Sequence, residues 1–434
     1  MTQAAHDLIG LRTDPLGRAA VTYNHHSPNM VEDARRIHAE LRSRCPVAWT
    51  EEHGGYWVVT GYDEVEAVAR DDDRFSSEND FVTRFGVAQP PMPHWAGLVE
   101  MDPPEFTPLR KALVPWFSRK AAADRSELTR TITDYVLDQI IEAGECDLTE
   151  DVAVPIPALL TMDLAGFPFT EADEMADMFH RHTYIPPNTP ERDRLNADVA
   201  RFSGLLHERA LERRNHPTDD LLSYLANIEI NGELLSLEEV AGHAFLVLIG
   251  GIDTTTALLS NTFIHLQQHP EERARLLADP KLLDTAFDEY MRYYTPVPGL
   301  ARTVTRDCEL SGQHLRENDR LWISWAAANL DAAAFDEADT VRLDRAPNRH
   351  VAFGTGIHRC IGANVAEVTW KVAAHRVLER LGDYVLDIAA CEPFPTVGTG
   401  AGWLRTPATF TPGQRVGAEL PRSTSRASST LGLQ

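Results

Sequence analysis

The stretch Ala352-Phe353-Gly354-Thr355-Gly356-Ile357-His358-Arg359-Cys360-Ile361-Gly362 puts one cysteine at the end of a glycine-rich loop, directly before the helical pattern Ala363-Asn364-Val365-Ala366-Glu367. A thiolate at that position faces backbone N–H groups not yet committed to a helix, and the positive end of the helix dipole steadies its charge. Gly354, Gly356 and Gly362 permit positive φ and a close approach to something flat and large. An iron porphyrin held by a cysteine thiolate fits these properties. The loop alone leaves other readings open. A lone cysteine is often a buried, inert thiol. His350, His358 and Cys360 lack the paired spacing of a closed zinc site. A nucleophilic cysteine would need a histidine and an Asn or Asp partner, which the loop neither supplies nor excludes.

Composition narrows the setting. The chain has 434 residues, 43% of them hydrophobic, enough for a large core. Its formal net charge of −24 argues against general nucleic-acid binding and for a self-repelling surface. The five cysteines, Cys45, Cys146, Cys308, Cys360 and Cys391, show no pairing pattern and suit a reducing cytoplasm. Met1 to Asp7 carry no basic start followed by an apolar run, and the apolar stretch Ala244 to Ile252 is too short to cross a bilayer. A soluble, cytoplasmic protein is expected.

Along the chain, residues 1–35 read as a polar N-terminal arm. Helical spacing appears at His38 to Arg44, ended by Pro46, and again at Tyr62 to Arg70; Gly54 to Gly61 reads as a strand between them. Residues 79–104 hold Pro90, Pro91, Pro93, Pro103 and Pro104 and read as a loop. Helical periodicity runs from Thr107 to Ile141 and then over 156–166, 170–183, 190–214, 218–227, 236–268, 270–278 and 281–294. Short β segments are expected at 301–310 and 319–323, a long helix at about 361–381, and a disordered tail over 422–434. The expected fold is mainly α with small β-sheet elements and no internal repeat.

Three further motifs give the cysteine its context. Glu289-Tyr290-Met291-Arg292 sets a carboxylate and a guanidinium on one helix face. By itself such a pair usually marks a solvated surface. Arg345, in Asp344-Arg345-Ala346-Pro347-Asn348-Arg349-His350, could bring a second guanidinium to Glu289 and form a buried clamp. In Ala244-Phe245-Leu246-Val247-Leu248-Ile249-Gly250-Gly251-Ile252-Asp253-Thr254, two glycines interrupt an apolar helix at a cost of about 1 kcal/mol each. Either close helix packing or space for a flat cofactor and small ligand explains them. Thr254 can bond the Gly250 carbonyl one turn back, and Asp253 beside it offers a proton.

Together, Phe353-Gly354-x-Gly356-x-His358-x-Cys360-x-Gly362, Glu289-x-x-Arg292 and Gly250-Gly251-Ile252-Asp253-Thr254 resemble the cytochrome P-450 family of the soluble bacterial type, from about residue 40 to 421. The resemblance implies a single triangular, mostly helical domain (36–421) with haem b (iron protoporphyrin IX) between the Asp253-Thr254 helix and the Cys360 loop. It implies Cys360 as the axial iron ligand and Glu289, Arg292 and Arg345 as a structural triad. Gly250, Phe353, Gly354 and Gly362 would contact haem; Arg110 would face its propionates, with Arg302 and His358 as the remaining candidates for that contact. Phe106 stands where relatives often carry a propionate-binding histidine, and Glu367 and Leu330 replace usual arginines.

By the same resemblance, the implied activity is a monooxygenase with Asp253 and Thr254 relaying protons and electrons arriving from NAD(P)H through ferredoxin reductase and ferredoxin. A haem-thiolate peroxygenase or a non-oxygenating haem enzyme is the alternative, against which the acid–alcohol pair speaks. No membrane or nucleic-acid partner is expected, and a monomer is. The pocket is expected to hold a hydrophobic small molecule against Phe245, Leu246, Ile249, Val297, Leu300 and the turn near Phe410. Arg110, Lys111, Arg349, Arg359, Lys371 and Arg376 gather near the cysteine in sequence and would suit an acidic ferredoxin.

Overall fold

A computed structural model describes residues 7–421 of the chain. The expected tail 422–434 and the first six residues of the arm lie outside the described residues. Helices dominate: α1 (Asn29–Arg44), α2 (Tyr62–Arg70), α3 (Phe106–Leu113), α4 (Arg119–Asp124), α5 (Ser126–Ile140), α6 (Pro155–Ala165) and α7 (Ala172–Tyr184). They continue with α8 (Pro190–Asn215), α9 (Leu221–Asn227), α10 (Leu237–Gln268), α11 (Pro270–Ala278), α12 (Leu283–Tyr294), α13 (Trp325–Ala328) and α14 (Ala363–Arg380).

α10 is the axis of the molecule. Ser236 caps it, accepting from the Glu239 amide while the Glu239 side chain accepts from the Ser236 amide. By length and composition α10 could cross a bilayer, but α6, α7, α8 and α14 pack around it, and Phe245, Leu248, Ile252, Leu259 and Phe263 are buried there. Its apolarity therefore belongs to a core helix. Local signals set the ends of its neighbours. Thr189 caps α8 with Pro190 in its first turn, and Gly166, at φ 83°, ends α6 in the left-handed conformation.

A seven-stranded sheet flanks the helices, in the order 12–13, 19–20, 47–50, 56–59, 320–323, 300–304, 75–76. The sheet alters two sequence expectations. The segment after residue 6 is no separate arm in its packing: its two short strands join the sheet, Ile9, Val21 and Tyr23 are buried, and α1 begins at Asn29 rather than His38. The run 301–310 is split, because residues 300–304 pair inside the sheet while Cys308–Leu310 turns back on Gln313–Leu315. The single helical run from Thr107 to Ile141 is likewise broken after Leu113, where Pro115 enters a tight turn, and restarts at Ser118, which caps α4.

Glu289 ties α12 to the segment before Cys360. Its two oxygens accept from Arg292 Nε and Nη2 at 2.8 Å each, and from Arg345 Nε at 2.9 Å. The Arg342 amide at 2.8 Å and Asn348 Nδ2 at 3.1 Å complete its shell. Arg292 also donates to the carbonyls of Asn329, Ala338 and Thr340, and Arg345 to those of Asp336, Glu337 and Thr340. Glu289 and Arg292 have no exposed surface and Arg345 is 6% exposed, so each charge depends wholly on these partners. The bland surface-pair reading of Glu289-x-x-Arg292 is therefore excluded by burial. Replacing one partner of such a group strands the others, at a cost of about 3–5 kcal/mol. Glu289→Gln should lower the unfolding free energy by that amount in a denaturant titration, whereas a change below 1 kcal/mol would show that the guanidiniums are satisfied without the carboxylate.

Candidate haem-thiolate site

Gly354 and Gly356 hold φ of 67° and 73°, so the loop turns where only glycine is unstrained. Gly356 also has no room for a side chain, since a Cβ there would lie 2.4 Å from the Ala69 carbonyl on α2. Gly362 differs from expectation: its φ is −80° and it acts as the N-cap of α14. The Cys360 amide donates to the Phe353 carbonyl at 2.8 Å, closing the loop on itself.

Cys360 has accessible surface, yet that surface opens into an internal cavity rather than onto the outside of the protein. Burial raises its thiol pKa, opposed by the Gly362 and Ala363 amides and by the Arg110 and Arg359 charges. The amides are the unbonded donors of the α14 N-terminus that the sequence predicts. They favour the thiolate form.

One cavity of about 400 Å³ joins Cys360 to α10. The expected residues Arg110, Leu246, Ile249, Gly250, Asp253, Thr254, Val297, Leu300, Arg302, Phe353, Gly354, His358 and Gly362 all line it. Two expected pocket residues do not. Phe245 packs behind the wall against Phe179 and His94, with ring centroids at 5.5 and 5.1 Å. Phe410 is drawn away because the strand 407–409 pairs with 145–147, and its amide donates to the Gly144 carbonyl. The C-terminal turn that does reach the cavity is Thr399–Gly400. Neither shift is visible in a one-dimensional pattern, since Phe410 depends on strand register and Phe245 on which rings pack against α10.

The two glycines of α10 divide the explanations between them. Beside Gly250 an added Cβ meets nothing within 4 Å, so that position opens onto the cavity. At Gly251 a Cβ would lie 2.6 Å from Thr161 Oγ1, so this glycine permits close packing of α10 on α6. The helix stays continuous through both, and Thr254 Oγ1 donates to the Gly250 carbonyl at 2.9 Å.

Asp253, 5% exposed, brings in a residue that the sequence pattern does not flag. His180 Nδ1 on α7 lies 3.0 Å from Asp253 Oδ1, while Asp253 Oδ2 is buried without a partner. Burial lowers the His180 pKa, but the hydrogen bond and charge of Asp253, with Asp177 and Glu150, outweigh it and the net shift is upward. His180 and Asp253 stand 73 positions apart, so no local motif could join them.

Cationic groups occupy the other side of the cavity. Arg302 is 2% exposed and donates to the carbonyl of Ala301, and among the described residues no carboxylate lies in ion-pair range of it. Burial lowers its pKa to about 10. Arg110 donates to the Arg359 carbonyl, and His358 Nε2 is buried without a partner beside these two cations. Burial, reinforced by both arginines, pushes the His358 pKa down to about 3, so its imidazole is neutral. Uncompensated buried guanidiniums are costly and ask for anions from outside the chain. A flat group bearing two carboxylates, with a metal facing Cys360, fits this set of donors.

The cytochrome P-450 family profile matches residues 197–382. A steroid C26-monooxygenase of Mycolicibacterium smegmatis is 31% identical over 382 residues, 87% of this chain and 93% of its own. The chain belongs to the cytochrome P-450 family. A linalool 8-monooxygenase of Pseudomonas putida is 30% identical, covering 77% of this chain and 86% of that one. A Mycobacterium marinum cytochrome P-450 solved with pseudoionone superposes with a TM-score of 0.83 at 27% identity, over 91% of this chain and 99% of its own. A Bacillus megaterium enzyme solved with testosterone gives 0.80 at 26% identity, over 88% and 99%. The protein is accordingly a cytochrome P-450 monooxygenase with a haem-thiolate cofactor, on the fold its sequence motifs imply.

The glycine pair gives a direct test of the cavity. Gly250→Ala should fold with unchanged or slightly higher melting temperature, while Gly251→Ala should lose about 1–3 kcal/mol through overpacking on Thr161. Equal melting temperatures for the two variants would contradict this division of roles.

Proposed function

We propose that the chain inserts one oxygen atom into a C–H bond of a hydrophobic small molecule, using haem b and electrons from NAD(P)H through ferredoxin reductase and ferredoxin. The observation that carries this reading is the single cavity lined at once by Cys360, by the Asp253–Thr254 pair and by apolar side chains. The haem, when bound, supplies oxygen activation, assisted by electron density from a thiolate ligand. Cys360 is the residue that would hold it, with Arg110, Arg302 and the neutral His358 meeting its carboxylates.

The protein's own tasks are orientation and proton supply. Leu246, Ile249, Val297 and Leu300 form an apolar wall that positions a substrate and displaces water. Val87, Ala96 and Leu98 close it from the proline-rich loop. The Thr254 hydroxyl, whose hydrogen the Gly250 carbonyl holds, presents its oxygen to the cavity. Asp253 supplies the acid, a role served by a carboxyl group within one residue of the hydroxyl. Terpenoid and steroid skeletons, the kinds of molecule named for the linalool and steroid enzymes, are the substrate chemistry this apolar wall favours. The peroxygenase alternative makes no use of the Asp253–Thr254 pair.

The basic face near Cys360 supports the ferredoxin reading with a smaller set of residues than the sequence suggests. Lys371 is held by Asp284 and Glu367, and Arg376 by Asp134 and Glu379. Lys111, Arg349 and Arg359 are exposed and have no carboxylate in ion-pair range among the described residues. These three are the contacts we assign to an acidic cytoplasmic donor.

Turnover of terpenoid and steroid candidates should depend on NAD(P)H with a ferredoxin system, and Thr254→Ala should keep substrate binding while diverting reducing equivalents into peroxide. Full activity on hydrogen peroxide alone, with coupling untouched in Thr254→Ala, would overturn the reading. Arg359→Glu should raise the ferredoxin concentration needed for half-maximal reduction about tenfold at low salt and leave the substrate difference spectrum unchanged. An equal effect on both measurements would remove Arg359 from the docking face.

A further inference from the structure

We propose that His180 relays protons from solvent to Asp253, so that acid reaches this site through an imidazole on α7. The proposal rests on the monooxygenase reading and adds a positioning and proton-carrying residue that the motifs do not contain. Three observations converge on it. The Nδ1–Oδ1 separation of 3.0 Å is a hydrogen bond between a group that titrates near neutrality and a buried acid. His180 keeps 16% of its side chain exposed against 5% for Asp253, so the pair spans from solvent to the interior. The second carboxylate oxygen, Oδ2, is buried with no partner in a residue that lines the cavity, which leaves it free to serve a group arriving there.

The surroundings favour transport over simple anchoring. Tyr184 and Phe394 set their rings edge-on to the imidazole at 5.4 and 5.3 Å, fixing its plane without competing for its nitrogens. The charged groups acting on His180 are Asp253 from α10, Asp177 from α7, and Glu150 from the turn Leu148–Ala153. Glu150 itself is exposed and faces Asp147, Asp151 and Arg405. Burial, followed by the charge of Asp147, raises its pKa, so it is an acid able to collect protons at the surface. With three acids around it, His180 stays protonated above the ordinary histidine value of 6.5. A fixed cation at this place could not give a proton away; an imidazole can.

An imidazolium passes its Nδ1 proton to Asp253 Oδ1, leaving a neutral ring with its hydrogen on Nε2. The carboxyl group turns about its Cβ–Cγ bond and releases that proton on the cavity side of α10, returning to a carboxylate. Water restores the proton to the ring. No electron moves in these transfers; electrons come from the reductase system already proposed.

The pair also carries a stability signature. His180 has a raised folded-state pKa, so its contribution is complete below 6.5 and is lost as pH rises through the raised value. A histidine that serves only as a pin would share that signature, so the test must read proton transfer. His180→Gln keeps an N–H donor for Asp253 but cannot shuttle a proton. In the haem-loaded enzyme with its ferredoxin system, this variant should lower the oxygenation rate about tenfold or more, enlarge the solvent deuterium isotope effect and flatten the pH profile above 6.5. Its substrate difference spectrum should stay at the wild-type value, and so should its melting temperature at a pH above the His180 titration, where the ion pair no longer contributes.

Nitrogen-15 NMR of labelled histidines supplies a reading independent of turnover. His180 should titrate above 6.5 in the wild type and fall back toward that value in Asp253→Asn. Should His180→Gln oxygenate at the wild-type rate with the wild-type pH profile, the relay is wrong while the monooxygenase reading stands. Absence of reductant-dependent oxygenation in the wild type would overturn both.

Discussion

The carboxylate of Glu289, with no exposed surface, is the interaction on which the rest of this structure depends. Two guanidiniums, one amide N–H and one side-chain amide converge on its two oxygens. The guanidiniums in turn satisfy carbonyls spread from Asn329 to Thr340. A long segment with little regular structure is thus held by charge-assisted bonds instead of by helix or sheet ladders. Asn329 extends the same network: its side chain accepts from the Val351 amide at 2.7 Å and donates to Thr295 at 2.9 Å. The loop bearing Cys360 follows directly, so the position of one sulfur is set by a buried ion cluster anchored on α12.

Charge is distributed around the cavity with a consistent logic. On the cysteine side, Arg110 and Arg302 stand beside a neutral histidine, with no carboxylate in ion-pair range of either among the described residues. On the α10 side, Asp253 is answered by an imidazole that can release its proton. Permanent cations sit where a permanent dianion would bind, and a labile proton carrier sits where a proton must be spent. Exchanging these two kinds of partner would leave the first group poorly held and the second inert.

Much of this was legible in the sequence because it is local. Positive φ at Gly354 and Gly356, the N–H groups after Cys360, the Thr254–Gly250 bond and the Glu289–Arg292 spacing all lie within a turn or two of chain. Contacts between distant segments are not written locally. Phe410 leaves the cavity because strand pairing with residues 145–147 fixes its register, and sequence periodicity carries no register between distant strands. Phe245 shares its helix with the cavity wall, yet which face of a buried helix meets the cavity depends on the rings packed from α7 and the proline-rich loop. Strands as short as 12–13 and 19–20 leave too little alternation to show that the N-terminal segment joins the sheet.

His180 shows why such a site is only half written in its motifs. Asp253 and Thr254 are adjacent and sit in a recognisable glycine-containing helix, so their chemistry can be read from spacing. The hydrogen-bonded partner of Asp253 comes from α7, which carries two histidines, His180 and His182; His94 approaches His182 through space, with ring centroids at 5.3 Å. Nothing in the local pattern separates these. His182 is fully enclosed and burial drives its pKa well below the ordinary value, so it is a neutral core ring; His180, one turn-face away, meets a carboxylate and is shifted the other way. Identical side chains two residues apart therefore take opposite electrostatic roles, because a helix turns about 200° between them. That rotation, fixed by the packing of α7 on α10, decides which of the two can carry a proton to the site.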